Sequence, residues 1–139
     1  MEASTYRNHV VLCGLGRVGY RIVLDLLAAG QQVVAIEKSP DSVFIEEIQG
    51  LDVPVLIGDS RLKKNLQLAN LEQARAIILA TNDDLANLDA ALTARDMKPD
   101  IKVVLRLFDD TLATKVASQF NMPVISTSAV SAPAFVAAK

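Results

Sequence analysis

Short apolar runs alternate with amphipathic stretches along the whole chain. Runs of consecutive apolar residues are typical of strands covered on both faces, whereas apolar residues spaced three and four apart indicate helices. The pattern predicts strands at residues 9–13, 32–36, 53–57, 74–80, 102–107 and 123–126. A helix is predicted in each interval; the second opens at Pro40 and Asp41, and the last runs from near Asp110 to Phe120.

Strands that alternate with helices in this way form a parallel sheet, because each right-handed crossover returns the chain to the same edge. We therefore predict an α/β fold of the Rossmann-like type. Its doubly wound, parallel, six-stranded sheet has the order 3-2-1-4-5-6, with helices on both faces. Ligands of such sheets lie beyond the carboxyl ends of the strands at the switch point, so the turns after strands 1 to 4 are expected to face one crevice.

A glycine-rich turn follows the first predicted strand. It reads Gly14-Leu15-Gly16-Arg17-Val18-Gly19, and a helical pattern begins immediately after it. Backbone approaches a diphosphate closely only where side chains are missing, and a helix start offers unpaired N–H groups and the positive end of its dipole. The turn therefore predicts a nucleotide-phosphate site.

The second predicted strand ends on Glu37, which lies 37 − 19 = 18 residues after Gly19. A carboxylate at this position accepts hydrogen bonds from the adenosine ribose hydroxyls and repels a 2′-phosphate. NAD, ADP, ATP or AMP is therefore favoured over NADP, although Lys38 and Arg17 would soften that repulsion. A solvated glutamate at a strand end is the alternative interpretation.

The other turns at this edge have two interpretations each. Asp59 and Ser60 follow the third strand and either cap the next helix or also contact the adenosine. Thr81 and Asn82 follow the fourth strand and would border the same crevice. Asp83 and Asp84 come next; we favour helix-dipole stabilisation over a metal site for them and expect no metal.

Arg106 stands at the end of an otherwise apolar strand. It either reaches phosphates across the crevice or pairs with Asp109 and Asp110. The sequence does not decide between these two uses.

The composition fits one compact domain. The chain has 139 residues, 51% of them hydrophobic, and a formal net charge of −2, which does not favour nucleic acid as a partner. We expect no membrane span and no signal peptide. Cys13 is expected to be a core residue in a reducing compartment, and His9 to be structural or partly exposed. Residues 1–7 are expected to form a poorly ordered leader, and residues 8–139 the nucleotide-binding domain with an apolar C-terminal tail.

Five segments together resemble the N-terminal lobe of RCK domains, also called KTN or TrkA-N domains. They are NHVVLCGLGRVG at 8–19, VAIE at 34–37, GDS at 58–60, ATNDDLANL at 80–88 and VVLR at 103–106. The first segment is shared by many Rossmann proteins, whereas its combination with the third and fourth is more particular. The resemblance covers residues 8 to about 135.

The resemblance implies a cytoplasmic regulatory domain that binds NAD(H), ATP, ADP or a related adenosine nucleotide and gates potassium transport through a channel or transporter. The three glycines of the turn would hold the phosphates, Glu37 the ribose, and Asp59 the adenosine neighbourhood. Thr81 and Arg106 would border the phosphates or the distal ribose. Membrane attachment would come from a pore-forming partner or segment, so ion conduction by these residues alone is not expected.

An NAD-binding fragment of an oxidoreductase is the alternative function. Hydride transfer needs a second domain or a proton donor such as a Tyr-x-x-x-Lys pair, but Val10 stands four residues after Tyr6 and Leu24 four after Tyr20. We therefore expect no enzymatic activity.

A homodimer or a higher assembly is expected from surplus apolar positions. The tail has no sheet position left to cover and would form a hydrophobic patch on a monomer. The positions on the last two helices and in the tail are Leu85, Leu88, Leu92, Leu112, Ala113, Val116, Phe120, Val130, Pro133, Phe135 and Val136.

Overall fold

The computed structural model describes residues 3–126, which form one six-stranded parallel sheet with helices on both faces. The strand order is β3-β2-β1-β4-β5-β6, which confirms the predicted fold. The strands are β1 Val10–Cys13, β2 Val33–Glu37, β3 Val55–Ile57, β4 Ala76–Leu79, β5 Lys102–Leu107 and β6 Val124–Ser126. The helices are α1 Arg17–Ala28, α2 Ile45–Gln49, α3 Lys63–Leu68, α4 Asp84–Met97 and α5 Asp110–Gln119, with 3-10 turns at Ala3–Thr5 and Leu71–Gln73.

Alternate residues of each strand enter different cores. In β1, Val10 and Leu12 pack with α1 and α2, whereas Val11 and Cys13 pack on the other face with α3, α4 and α5. All four β1 residues are fully buried. The central strands are therefore covered on both sides, which is why they appear in the sequence as unbroken apolar runs.

Several predicted boundaries differ from those of the structure, among them the starts of β3 and α2. β3 begins at Val55 rather than residue 53, because Pro54 has no N–H to donate to the ladder. α2 begins at Ile45 rather than near Pro40. The intervening residues form turns in which the Ser42 hydroxyl donates to the Leu15 carbonyl at 2.7 Å.

Only some of the apolar residues of α4 and α5 that were expected to lie outside the core are exposed. α4 buries Ala90, Ala91 and Ala94, while Leu85 is 72% exposed and Leu92 40% exposed. Four positions counted as surplus pack against the core instead: Leu88, Leu112, Ala113 and Val116. Phe120 is exposed, and the tail lies outside the described residues.

Part of the expected leader belongs to the folded domain. Ala3 and Tyr6 are buried in the same core as α4. The Tyr6 hydroxyl donates to the Asp52 carbonyl at 3.3 Å, and the Asn70 amide donates to the Tyr6 carbonyl at 2.6 Å. The buried Tyr6 side chain and the two hydrogen bonds, one at the hydroxyl and one at the backbone carbonyl, hold this segment against the domain.

His9 is fully buried at the amino end of β1, so of the two expectations the structural role holds and partial exposure does not. Its Nε2 lies 2.8 Å from the Ala69 carbonyl oxygen, which can only accept, so Nε2 carries the proton. Nδ1 is buried without a hydrogen-bond partner among the described residues. Burial lowers the pKa of His9, the Ala69 contact opposes that shift, and the charge of Lys98 adds to it.

We expect the domain to lose stability in mild acid because of His9. The pKa of the folded state lies below the unfolded value of about 6.5, so this contribution is complete above pH 6.5 and declines as pH falls toward the folded pKa. Between pH 7 and 5, the free energy of unfolding measured in urea should therefore decline more steeply for the parent than for His9→Gln. The glutamine amide can still donate to the Ala69 carbonyl, but it does not titrate. Parallel declines in the two proteins would exclude His9 as the cause.

Candidate functional site

A cavity of about 790 Å³ lies at the carboxyl ends of the central strands, where the chain order reverses between β1 and β4. Twelve of the thirteen predicted site residues line it, and Gly19 lies beneath its wall. The twelve are Gly14, Leu15, Gly16, Arg17, Val18, Glu37, Lys38, Asp59, Ser60, Thr81, Asn82 and Arg106. The fold therefore gathers residues from five separate segments of the sequence around one opening.

The glycines of the turn have different surroundings. Gly14 has φ +103°, and a Cβ on it would lie 2.8 Å from the Thr81 amide nitrogen, so only glycine lets the turn after β1 approach the turn after β4. A Cβ on Gly16 would meet no atom within 4 Å. The absent side chain of Gly16 therefore leaves open space at the start of α1.

The start of α1 borders this open space. Gly16 is the N-cap residue and has no side chain to accept from the first turn, and the first helical bond runs from the Tyr20 amide to the Gly16 carbonyl. The amides of Arg17, Val18 and Gly19 precede that bond and have no partner within the helix. They provide donors and a positive dipole end suited to an anion.

Glu37 lies beside the glycine turn and is half-buried. One carboxylate oxygen accepts from the Leu15 amide at 2.6 Å, and the other from the Ser39 amide at 2.7 Å. A carboxylate accepts up to about four hydrogen bonds, so these two fix its orientation and leave capacity for hydroxyl groups in the cavity.

Asp59 does not cap the following helix, so the capping interpretation was wrong. α3 begins at Lys63 with Leu62 as its N-cap residue and without a side-chain cap. Asp59 instead accepts from the Arg61 amide at 2.9 Å and pairs with the Arg61 guanidinium at 2.6 Å. This pairing lowers the pKa of Asp59 to about 2, so the carboxylate at the cavity edge is ionised.

Cys13 lies at the end of β1, below the cavity, and is fully buried. Burial raises the pKa of its thiol to about 12, and a hydrogen bond with the Ser60 side chain opposes this shift. A thiol that stays protonated is a poor nucleophile, which confirms that Cys13 is a core residue.

The two acids after β4 bind backbone amides. Asp83 is the N-cap of α4 and accepts from the Ala86 amide at 3.1 Å. Asp84 accepts from the amides of Phe108 and Asp109 at 2.8 and 2.9 Å. Within residues 3–126, no group of three or more potential metal-ligating side chains comes together.

Arg106 lines the cavity, and its guanidinium lies over the Phe108 ring, 4.6 Å from the centroid. The predicted alternative, pairing with Asp109 and Asp110, was wrong. Among the described residues Arg106 forms no ion pair with either acid, and Asp109 caps α5 instead. Arg106 donates to the Ala80 carbonyl at 3.4 Å, and its Nε is buried without a partner among the described residues. Burial lowers the pKa of Arg106, and the Asp84 carboxylate opposes this.

Several residues of the cavity wall were not predicted from the sequence. The Ser39 amide donates to the Glu37 carboxylate, and the Ser42 hydroxyl donates to the Leu15 carbonyl. Arg61 neutralises Asp59. Arg61 was detectable as a basic residue directly after the turn at 58–60, whereas the two serines carried no periodic signal. The missed wall residues are Ile36, Ser39, Ser42, Gly58, Arg61, Ala80, Asp83 and Ala86.

The sequence matches a known protein family. Residues 10–126 match the sequence profile of the TrkA-N domain. The chain belongs to the TrkA-N family. It is 30% identical over 112 residues to the voltage-gated potassium channel Kch of Escherichia coli and 33% identical over 103 residues to a Trk system potassium uptake protein TrkA homolog of Pyrococcus horikoshii. The matches cover 79% and 73% of this chain but only 27% and 44% of those proteins.

Solved TrkA-N structures have the same fold. The TrkA-N domain of the inner membrane protein YbaL from Escherichia coli superposes with a TM-score of 0.80 at 27% identity, covering 89% of this chain and 90% of that one. The AMP-bound Kef C-terminal domain of Shewanella denitrificans has a TM-score of 0.75 at 23% identity, with coverage of 87% and 72%. The GsuK channel bound to NAD has a TM-score of 0.69 at 15% identity, with coverage of 87% and 22%.

Within residues 3–126 of this TrkA-N domain, no helix is both long and apolar enough to cross a bilayer. The chain spans less than half the length of either potassium-system relative.

Proposed function

We propose that this TrkA-N domain binds an adenosine nucleotide in the cavity and that occupancy regulates potassium transport by a larger protein or complex. The convergence of the open α1 N-terminus at Gly16 with the oriented carboxylate of Glu37 carries the proposal. These groups match a phosphate and a ribose diol, the two polar parts that NAD, ADP and AMP share.

The nucleotide would lie across the strand ends. Glu37 on β2 would hold the adenosine ribose, the glycine turn after β1 the phosphates, and Thr81 and Arg106 the part beyond them. NAD, ADP and AMP are the favoured ligands, and the AMP-bound Kef domain and NAD-bound GsuK channel of the same fold support this choice. The carboxylate of Glu37 disfavours NADP.

The regulated activity would be that of a potassium channel or transporter at the inner face of a membrane. Relatives of this domain belong to a potassium channel and to Trk uptake systems, which supports this assignment. A ligand changes such an activity only if it binds two arrangements of the assembly with different affinity. We infer that the nucleotide is not consumed, and steady hydrolysis or hydride transfer by the pure protein would contradict this.

We expect Glu37→Ala to weaken NAD and ADP binding by about 1–3 kcal/mol, because hydrogen bonds to a charged acceptor are lost. Glu37→Gln should lose less, since one acceptor oxygen remains. Calorimetric titration measures both, with Glu72→Ala as the control, because Glu72 is an exposed acid outside the cavity. Unchanged affinity in Glu37→Ala would contradict the proposed site.

We further propose that the domain forms a homodimer or a higher assembly. Exposed apolar side chains on α4 and beside both ends of α5 support an interface that includes these two helices. They are Leu85, Leu92, Phe108 and Phe120. Light scattering at micromolar concentration should give at least twice the chain mass of 14.9 kDa. A monodisperse monomer would contradict this proposal.

A further inference from the structure

A buried asparagine lies directly behind the cavity wall. Asn87 on α4 is fully buried and does not line the cavity. Its Oδ1 accepts from the Thr81 hydroxyl at 2.6 Å and from the Thr81 amide at 3.3 Å. Its Nδ2 donates to the Thr81 carbonyl at 3.0 Å and to the Arg106 carbonyl at 2.7 Å. An asparagine amide has two donors, and Asn87 uses both on neighbouring strand ends.

These bonds connect three elements. Thr81 follows β4, Arg106 lies in β5, and Asn87 is in the first turns of α4. Thr81 and Arg106 both line the cavity, so one side chain fixes two wall residues relative to each other. Leaving any of these buried groups unpaired costs its full desolvation penalty, so the wall has one strongly preferred arrangement.

The guanidinium of Arg106 is held in the same unit. Its Cζ lies over the Phe108 ring, and the Phe108 amide donates to Asp84 in the first turn of α4. Asn87 therefore fixes the backbone of Arg106, while Asp84 fixes the backbone of Phe108, whose ring lies against the Arg106 side chain. Arg106 lines the cavity, and its buried Nε has no partner among the described residues, so the guanidinium does not use all its donors within the protein.

We propose that Asn87 is a positioning residue that sets Thr81 and Arg106 for the part of the nucleotide beyond the first phosphate. The inference rests on the proposed function. In the sheet order, Glu37 on β2 and Arg106 on β5 are three strand spacings apart, roughly 14 Å. The adenosine and first phosphate reach from β2 to the glycine turn after β1, whereas a second phosphate or a second nucleoside extends to β4 and β5. Asn87 thus controls affinity for ADP and NAD and has little influence on AMP.

The experiment compares AMP, ADP and NAD by calorimetric titration of the parent domain, Asn87→Ala, Arg106→Ala and the double variant. We expect Asn87→Ala to weaken ADP and NAD about tenfold or more and AMP less than about threefold. In the Arg106→Ala background, the same substitution should weaken NAD binding by a smaller factor than in the parent, because one of the two residues that Asn87 positions has lost its side chain.

Asn87→Asp provides the second variant, and the cycle is run with it if Asn87→Ala does not fold. The substitution keeps the size and the acceptor oxygen but removes the donors to the Thr81 and Arg106 carbonyls. Asn70→Asp is the matched control, because Asn70 also donates to a backbone carbonyl, that of Tyr6, and lies outside the cavity. It should lower thermal stability without changing the ratio of AMP to NAD affinity.

Two results overturn the inference alone: an equal loss for all three ligands in the Asn87 variants, or additive effects of Asn87→Ala and Arg106→Ala on NAD affinity. In both cases the parent domain still binds nucleotide, so the proposed function stands. A parent domain that binds none of the three ligands would overturn the proposed function and the inference with it.

Discussion

Gly16→Asp is expected to abolish measurable binding of NAD, ADP and AMP while leaving the domain folded. A Cβ at residue 16 meets no atom within 4 Å, and the backbone has a φ of −88°, which any residue adopts. Aspartate is moreover a preferred N-cap residue, and its charge favours the positive end of the helix dipole. The new carboxylate would occupy the space for the diphosphate and compete for the same amides.

The prediction separates binding from stability. Chemical denaturation should give Gly16→Asp a free energy of unfolding equal to that of the parent or about 1 kcal/mol higher. Calorimetric titration should show no binding. Thr111→Asp is the matched control, since it adds the same charge to the first turn of α5, which does not line the cavity. A folded Gly16→Asp variant with the parent's affinity would place the nucleotide elsewhere.

The sheet order was predictable because the physical signal is local. Strands covered on both faces must be apolar at every position, and β1 and β4 are each buried throughout. The glycine turn was equally clear, since Gly14, Gly16 and Gly19 combine a fixed spacing with a preceding strand and a following helix. With the right-handed crossover rule, these signals place the turns after β1 to β4 at one edge.

The pairing of individual polar side chains was not predictable in the same way. Asp59 precedes a helix, yet it binds Arg61 instead of capping α3, because the turn after β3 continues to Leu62 before the helix starts. Asn87 belongs to the segment that carries the family resemblance, but its four bonds depend on how α4 packs against β4 and β5. These partners lie two to nineteen residues apart in the sequence, but which neighbouring polar group each side chain binds depends on where the helix begins and how it packs, and neither spacing nor composition records that.

The burial of Tyr6 could not be predicted from the sequence for a similar reason. Residues 1–7 have no periodic pattern, and the contact of Tyr6 with the turn at Asp52 joins segments 46 positions apart. Only the assembled sheet brings these segments together at the amino ends of the strands.

Gly19→Ala is expected to destabilise the domain by about 3 kcal/mol or more, the largest loss of stability among the variants considered. An alanine normally stabilises a helix by about 1 kcal/mol relative to glycine, so propensity alone predicts the opposite sign. Steric overlap decides the outcome: a Cβ at residue 19 would overlap the Gly14 carbonyl oxygen and lie 2.9 Å from its carbonyl carbon. Backbone cannot rotate away as a flexible side chain would, and Gly14 is held at φ +103° against the turn after β4.

Gly16→Ala is the matched control for this prediction, because both substitutions add one methyl group to the same turn. It should change the free energy of unfolding by at most about 1 kcal/mol, the cost of alanine at an N-cap. Urea denaturation of the two variants at neutral pH measures the difference directly. Equal stability of Gly19→Ala and the parent would contradict the close packing of α1 on Gly14, and with it the geometry that holds the unpaired amides of α1 at the cavity. Gly19 would then serve the nucleotide site by contacting the ligand directly rather than by packing against the Gly14 carbonyl.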